Sequence, residues 1–191
     1  MVYDNKTKKE QEVSLNQSKT DEYCDRAENY LYGSDGYDKD YTQAYQLLHK
    51  AEKKGNGRAY ALLGYMYKNG IFFMKNETLA NEYFAKAKSA IYNCIRGVNT
   101  GNDTDLLRLS GLYYISGQIE EYKKNRPEAM RCYIKALKYN ASMMSESKER
   151  KTGLAKILSA IGETEQKLGH VDKAEIWIKE AGTINENVNK L

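Results

Sequence analysis

The fold is decided by the stretch Ala44-Tyr-Gln-Leu-Leu48-His-Lys-Ala51, which recurs three times further along the chain. Each copy places a large apolar residue four positions after an alanine, and a second alanine three positions later. Positions i, i+4 and i+7 share one face of an α-helix, so two small residues flank a bulky one there. The pattern predicts a closely packed helix, here called helix B, in each of four repeats. The other copies read Ala80-Asn-Glu-Tyr-Phe84-Ala-Lys-Ala87, Ala129-Met-Arg-Cys-Tyr133-Ile-Lys-Ala136 and Ala174-Glu-Ile-Trp-Ile178-Lys-Glu-Ala181.

A capping residue precedes each predicted helix B. Asp40, Asn76 and Asn125 lie four residues before the first alanine, and Asp172 lies two residues before Ala174. Asp and Asn suit the start of a helix because their side chains accept a hydrogen bond from an unpaired backbone N–H. We expect the four helices to begin at these positions.

A second helical pattern, helix A, precedes each helix B. It consists of a small residue, a tyrosine three positions later and a glycine three positions after that. We expect the small residue to permit close packing, the tyrosine to lie in the core and the glycine to end the helix in a left-handed conformation. In the fourth repeat glutamate replaces the tyrosine and the glycine comes one residue later. The four sets are Ala27, Tyr30 and Gly33; Gly64, Tyr67 and Gly70; Gly111, Tyr114 and Gly117; and Gly162, Glu165 and Gly169.

The composition indicates a globular helical chain. Hydrophobic residues make up 41% of its 191 residues, and a single proline leaves long helices uninterrupted. The net charge of +4 is spread along the chain, so no nucleic-acid partner is predicted. The chain lacks an apolar run of about 20 residues, and its three scattered cysteines suit a reducing compartment. We therefore expect a cytoplasmic protein that does not insert into membranes.

The sequence offers no evident catalytic or metal-binding cluster. Its two histidines, His49 and His170, have no companion at ligand spacing, and the cysteines form no CxxC pair. No enzymatic activity, metal or cofactor is predicted.

The repeats resemble the Sel-one-like repeat, a relative of the tetratricopeptide repeat. The segment 59–87 is similar to that family's pattern A…LG.MY..G…A..YF.KA. From the helix-A small residue to the first helix-B alanine the spacing is 17, 16 and 18 residues in the first three repeats, but 12 in the fourth, which is the tetratricopeptide value. The resemblance implies an all-α, right-handed α-α superhelix of three Sel-one-like repeats and one tetratricopeptide-like repeat. We expect this domain at 19–184, between flexible tails at 1–18 and 185–191.

The resemblance also implies a noncatalytic scaffold or adaptor, monomeric by preference, that binds another protein or peptide in a groove lined by helix A. Three alternatives stay open: an immunity protein that neutralises a toxin, a hydrolase acting on β-lactam-type ligands, and a self-associating structural module. The groove positions are two, five, nine and twelve or thirteen, counting the helix-A small residue as eight. They select Asp21, Glu28, Tyr32, Arg58, Tyr65, Lys68, Asn69, Asp105, Arg108, Leu112, Lys156, Glu163 and Gln166.

Overall fold

The computed structural model describes residues 19–98 and 100–190, and the predicted tail at 1–18 lies outside them. Within these ranges the chain forms eight α-helices and no strand, so the predicted all-α class is confirmed. The first helix, α1, covers residues 19–32 of the described part. The others are α2 (Tyr41–Glu52), α3 (Gly57–Asn69), α4 (Glu77–Arg96), α5 (Asp103–Tyr122), α6 (Arg126–Ala141), α7 (Lys148–Lys167) and α8 (Val171–Asn189).

The helices divide into two compact units. Unit 1 runs to Ile91 and contains the first two repeats, and unit 2 begins at Tyr92 and contains the last two. Each predicted helix B is present, as α2, α4, α6 and α8. Helix α8 continues to Asn189 and buries Val188, so regular structure extends beyond the predicted end of the domain at 184.

Unit 1 packs in the way that the alternation of small and large residues predicts. The large residues Leu48 and Phe84 are buried, and so are the alanines that flank them, Ala44 and Ala51 in the first repeat and Ala80 and Ala87 in the second. Gly64 on α3 accommodates the Phe84 ring, because a Cβ at this glycine would lie 2.6 Å from Phe84 Cε1. The glycine therefore permits the close approach of helix A to helix B.

Unit 2 repeats this packing, but at a different glycine of α5 from the predicted one. Gly111 is exposed, and a Cβ there would meet nothing within 4 Å. Gly117 packs against Tyr133, and a Cβ at this position would lie 2.3 Å from the ring. The assignment of Gly111 as the packing residue and of Gly117 as the helix end was therefore wrong. Helix α5 continues past Gly117 to Tyr122.

The corrected position agrees with a hydrogen bond that recurs in all four repeats. The residue before each helix B donates its backbone N–H to a carbonyl of helix A. That carbonyl belongs to the residue three positions after the small residue that packs against helix B. The carbonyls belong to Tyr30, Tyr67, Glu120 and Glu165, and the donors are Asp40, Asn76, Asn125 and His170, at 2.8 to 3.0 Å. The third repeat is thus aligned on Gly117, which lies 12 residues before Ala129, as Gly162 does before Ala174.

Side-chain hydrogen bonds mark the start of two of the helices B. Asp40 and Asn76 accept hydrogen bonds from the first turns of α2 and α4, as predicted. Asn125 precedes α6 but makes no such side-chain bond. Helix α8 begins after His170, so the assignment of Asp172 as its cap was wrong, and Asp172 lies in the first turn.

The three tyrosines predicted to lie in the core, Tyr30, Tyr67 and Tyr114, are only partly buried. Tyr30 and Tyr114 pack against the hydrophobic clusters of their own units, and Tyr67 stacks on Phe73. Their hydroxyl groups can stay near water at this depth, which explains why the position tolerates tyrosine.

Candidate binding surface

In unit 1 the predicted site residues Arg58 and Glu28 bind each other. Arg58 Nη2 donates to Glu28 Oε2 at 2.7 Å and its Nε donates to Oε1 at 3.2 Å, while Nη1 pairs with Asp25 at 2.5 Å. Burial by itself would lower the Arg58 pKa, but the adjacent Glu28 and Asp25 carboxylates raise it. This bidentate ion pair connects α1 to α3, so most of the hydrogen-bonding capacity of the Arg58 guanidinium is used within the chain.

Asp21 belongs to a second connection between the same helices. Asn56 caps α3 by accepting from the Arg58 and Ala59 backbone, and its amide donates to Asp21 at 2.8 Å and to Thr20 at 3.0 Å. The Cys24 thiol donates to Asn56 Oδ1 at 3.6 Å, and burial raises its pKa to about 12. This cysteine is a packed, unreactive group.

The remaining predicted residues of unit 1 lie further along α1 and α3. The Tyr32 and Tyr65 rings approach to 6.4 Å between centroids, and the Asn69 amide donates to the Tyr65 carbonyl at 2.9 Å. Lys68 is partly buried, while Tyr32 stays 47% exposed. This part of unit 1 presents aromatic surface and few uncommitted polar groups.

The predicted residues Asp105, Arg108 and Leu112 lie in the N-terminal half of α5, away from any feature that resembles a site. Asp105 accepts a hydrogen bond from the side chain of Asn102, which caps the helix. None of the three lines the cavity described next.

Unit 2 contains a cavity of about 340 Å³ between α5 and α7, which is within the range of ligand pockets. Two predicted residues, Lys156 and Glu163, line it, whereas Gln166 does not. The lining consists of Tyr114, Gln118, Glu121, Tyr122, Tyr133, Lys156, Ser159, Ala160, Glu163, Thr164, Lys167 and Asn185.

The error in the position of the third repeat explains why the sequence missed the lining residues of α5. Counted from Gly117, groove positions five, nine, twelve and thirteen select Tyr114, Gln118, Glu121 and Tyr122 on α5, which all line the cavity, whereas Gly111 at position two does not. Positions two, five, nine and thirteen of the fourth repeat select Lys156, Ser159, Glu163 and Lys167, which also line it. The signal that could have found them is the equal 12-residue spacing from Gly117 to Ala129 and from Gly162 to Ala174.

Hydrogen bonds fix one end of the cavity. Glu121 accepts from the Thr164 hydroxyl at 2.9 Å and from Lys167 Nζ at 3.1 Å, so its charge is balanced. The Gln118 amide donates to the Tyr114 hydroxyl at 3.3 Å. Lys156 and Glu163 are exposed and form no ion pair with any residue that the structure describes. They are the two uncommitted charges of the cavity.

The described residues contain no group of three or more His, Cys, Asp or Glu side chains that could hold a metal ion. The cavity lining includes neither histidine nor cysteine. None of the described helices combines the length and the apolar composition that crossing a membrane requires.

Comparison with known proteins connects this architecture to a family. The Sel1 repeat model matches residues 23–56, 57–90 and 106–138, three repeats as predicted. A solved structure, the crystal structure of a Sel1 repeat protein from Oxalobacter formigenes, is similar at 18% identity and a TM-score of 0.35, over 87% of this chain and 72% of that one. No curated protein matches the chain. Sel1 repeats are protein–protein interaction modules and are generally noncatalytic. Because the repeats matched cover more than half of its residues, the chain belongs to the Sel1 repeat family.

Proposed function

We propose that this chain is a noncatalytic adaptor that binds a partner protein through the helix-A face of unit 2, with the cavity between α5 and α7 as the contact point. The observation that carries the proposal is that the cavity lining repeats from one helix A to the next. Two consecutive helices A contribute side chains from the same positions of their repeats, and these side chains form a single concave site. Surface clefts with a few convergent polar groups are the usual places of recognition.

The difference between the two units supports this choice of surface. The charged groups Arg58, Glu28 and Asp25 of unit 1 are paired with one another. In unit 2 Lys156 and Glu163 form no such pair within the described residues, so a partner need not break an existing contact to reach them. Separating paired charges costs free energy that a binding partner would have to supply.

Site-specific photo-crosslinking tests the proposal. A photoreactive amino acid replaces Ser159, which lines the cavity, and in a matched control it replaces Glu175, which is exposed on α8 outside the lining. After irradiation in the source cell, we expect a discrete heterologous adduct from position 159 and none from position 175.

An adduct from position 175 alone would contradict the proposed surface. An adduct at position 159 between two copies of this chain would identify a self-associating module instead of an adaptor. Either result is read directly from the mass of the crosslinked species.

A further inference from the structure

We propose that the cavity of unit 2 receives a positively charged side chain of the partner, arginine or lysine, between its tyrosine rings and the Glu163 carboxylate. This inference rests on the proposed function and adds the chemistry of the group that is recognised. Three features of the cavity carry it: its aromatic lining, a tyrosine hydroxyl on that lining, and the distribution of its charges.

The aromatic lining suits a cation. Tyr114, Tyr122 and Tyr133 all border the cavity, and the Tyr114 and Tyr133 rings lie 5.8 Å apart between centroids. The faces of aromatic rings attract ammonium and guanidinium groups, and the attraction grows when water is displaced. The aliphatic stem of arginine or lysine would also bury apolar area against these rings.

The second feature is the Tyr133 hydroxyl. Tyr133 is 2% exposed, and its side chain borders the cavity. A tyrosine hydroxyl can both donate and accept a hydrogen bond, so a tyrosine that borders a cavity offers a polar ligand atom a partner. A guanidinium or ammonium N–H would donate to its oxygen.

The third feature is the distribution of charge. Thr164 and Lys167 occupy both oxygens of Glu121, which leaves Glu163 as the acid available to a ligand. Burial raises the pKa of Tyr133, and the neighbouring Tyr114, Glu121 and Glu163 raise it further. Both carboxylates therefore lie close enough to act on the hydroxyl.

Lys156 would attract a negatively charged group of the partner, at a different position along α7. It precedes Glu163 by two helical turns, which separates the two positions by about 10 Å along α7. A partner segment that places its basic side chain at Glu163 would meet Lys156 with another part of its surface. The proposal therefore predicts different effects for the two charges.

Titration of the protein with two small probes, followed by NMR of the tyrosine rings, tests the charge preference. The probes are N-acetyl-arginine methylamide and N-acetyl-glutamate methylamide. We expect saturable shifts of the Tyr114 and Tyr133 ring signals at millimolar concentrations of the arginine probe only. Glu163→Gln should weaken its binding at least about fivefold, which corresponds to about 1 kcal/mol. The matched variant Glu175→Gln removes the same charge outside the cavity and should bind like the wild type.

Tighter binding of the glutamate probe, with loss of binding in Lys156→Gln, would overturn the proposal in favour of an acidic ligand. Equal binding of the arginine probe to Glu163→Gln and to Glu175→Gln, or the absence of saturable ring shifts, would also overturn it. If the crosslink from position 159 persists in either of these cases, the adaptor function stands and only the cation site is wrong.

Discussion

The two glycines of α5 can be distinguished by adding a single methyl group to each. At Gly117 a new Cβ would lie 2.3 Å from the Tyr133 ring, which is too close for any carbon contact unless the ring or the helix shifts. We expect Gly117→Ala to lower the free energy of unfolding by about 1–3 kcal/mol, the usual cost of overpacking. Gly111→Ala meets open space and should raise it by up to about 1 kcal/mol, because alanine favours helix.

Denaturant unfolding of the two variants, followed by circular dichroism, measures this difference. Each variant is the control for the other, since the same substitution is made in the same helix. A destabilised Gly111→Ala with an unaffected Gly117→Ala would restore the original alignment of the third repeat.

The sequence predicted the buried helix-B face correctly in the first three repeats, whereas Ile178 in the fourth is 43% exposed. It also failed at one helix-A position for a physical reason. Gly111, Tyr114 and Gly117 have the same spacing as Gly64, Tyr67 and Gly70, so the letters alone support either alignment. The contact between Gly117 and Tyr133 decides between them, and it depends on two helices meeting across 16 residues of chain. The predicted groove positions on α5 moved with this error, and the cavity-lining residues of that helix were missed.

At the scale of helices and their connections, Asp103 at the start of α5 holds the segment that joins α6 to α7. Its carboxylate accepts from the backbone N–H groups of Met144 at 3.1 Å and Ser145 at 2.7 Å, and these bonds lower the Asp103 pKa. A carboxylate whose pKa is lower in the folded state stabilises that state above its unfolded pKa. The contribution disappears as the pH falls through the lowered value.

We expect the amide proton signals of Met144 and Ser145 to titrate with a midpoint below 3.8, the ordinary pKa of the group. In Asp103→Asn this titration should vanish, and both amides should exchange with solvent faster at neutral pH. Asp172→Asn, which changes an exposed acid in the first turn of α8, is the control and should leave both amides unchanged. An unaltered titration in Asp103→Asn would show that another group holds the segment.

Helix existence was easier to predict than helix ends. The small–large–small pattern predicted the presence of every helix B, because the residues that form one face of a helix lie in adjacent turns of the same segment. The connection from α6 to α7 is held in part by Asp103, which lies about forty residues away in the chain, and in part by the local bonds of Arg150. Start signals also differ in strength: Asp40 makes the side-chain bonds predicted for it, whereas His170 begins α8 without one.

For the whole molecule, the sequence could not show which charged residues are available to a partner. Arg58 and Lys156 occupy the same position in their repeats and were predicted to play the same role. Arg58 is held by Glu28 and Asp25 of the neighbouring helix, whereas Lys156 has no ion-pair partner in the described part of the chain. Availability depends on the side chains that the adjacent helix A supplies, and therefore on three-dimensional packing.

Each unit has its own hydrophobic cluster, and each cluster is contacted by a residue whose chemistry or fluorescence can report on local unfolding. Cys24 lies in the cluster of unit 1, and Trp177, the single tryptophan of the chain, packs against that of unit 2. Repeat proteins owe most of their stability to contacts within repeats and between neighbours. We therefore expect a substitution in one unit to act mainly on the probe of that unit.

The Arg58→Ala variant should leave Glu28 without its strongest partner and lower the local stability of unit 1 by about 1–3 kcal/mol. Thiol labelling under native conditions should then become faster at Cys24, whose burial and raised pKa otherwise protect it. The urea midpoint followed by Trp177 fluorescence should change little. Gly117→Ala should have the reverse effect, with an earlier fluorescence midpoint and an unchanged rate at Cys24. Equal responses of both probes to both variants would mean that the chain unfolds as one cooperative unit.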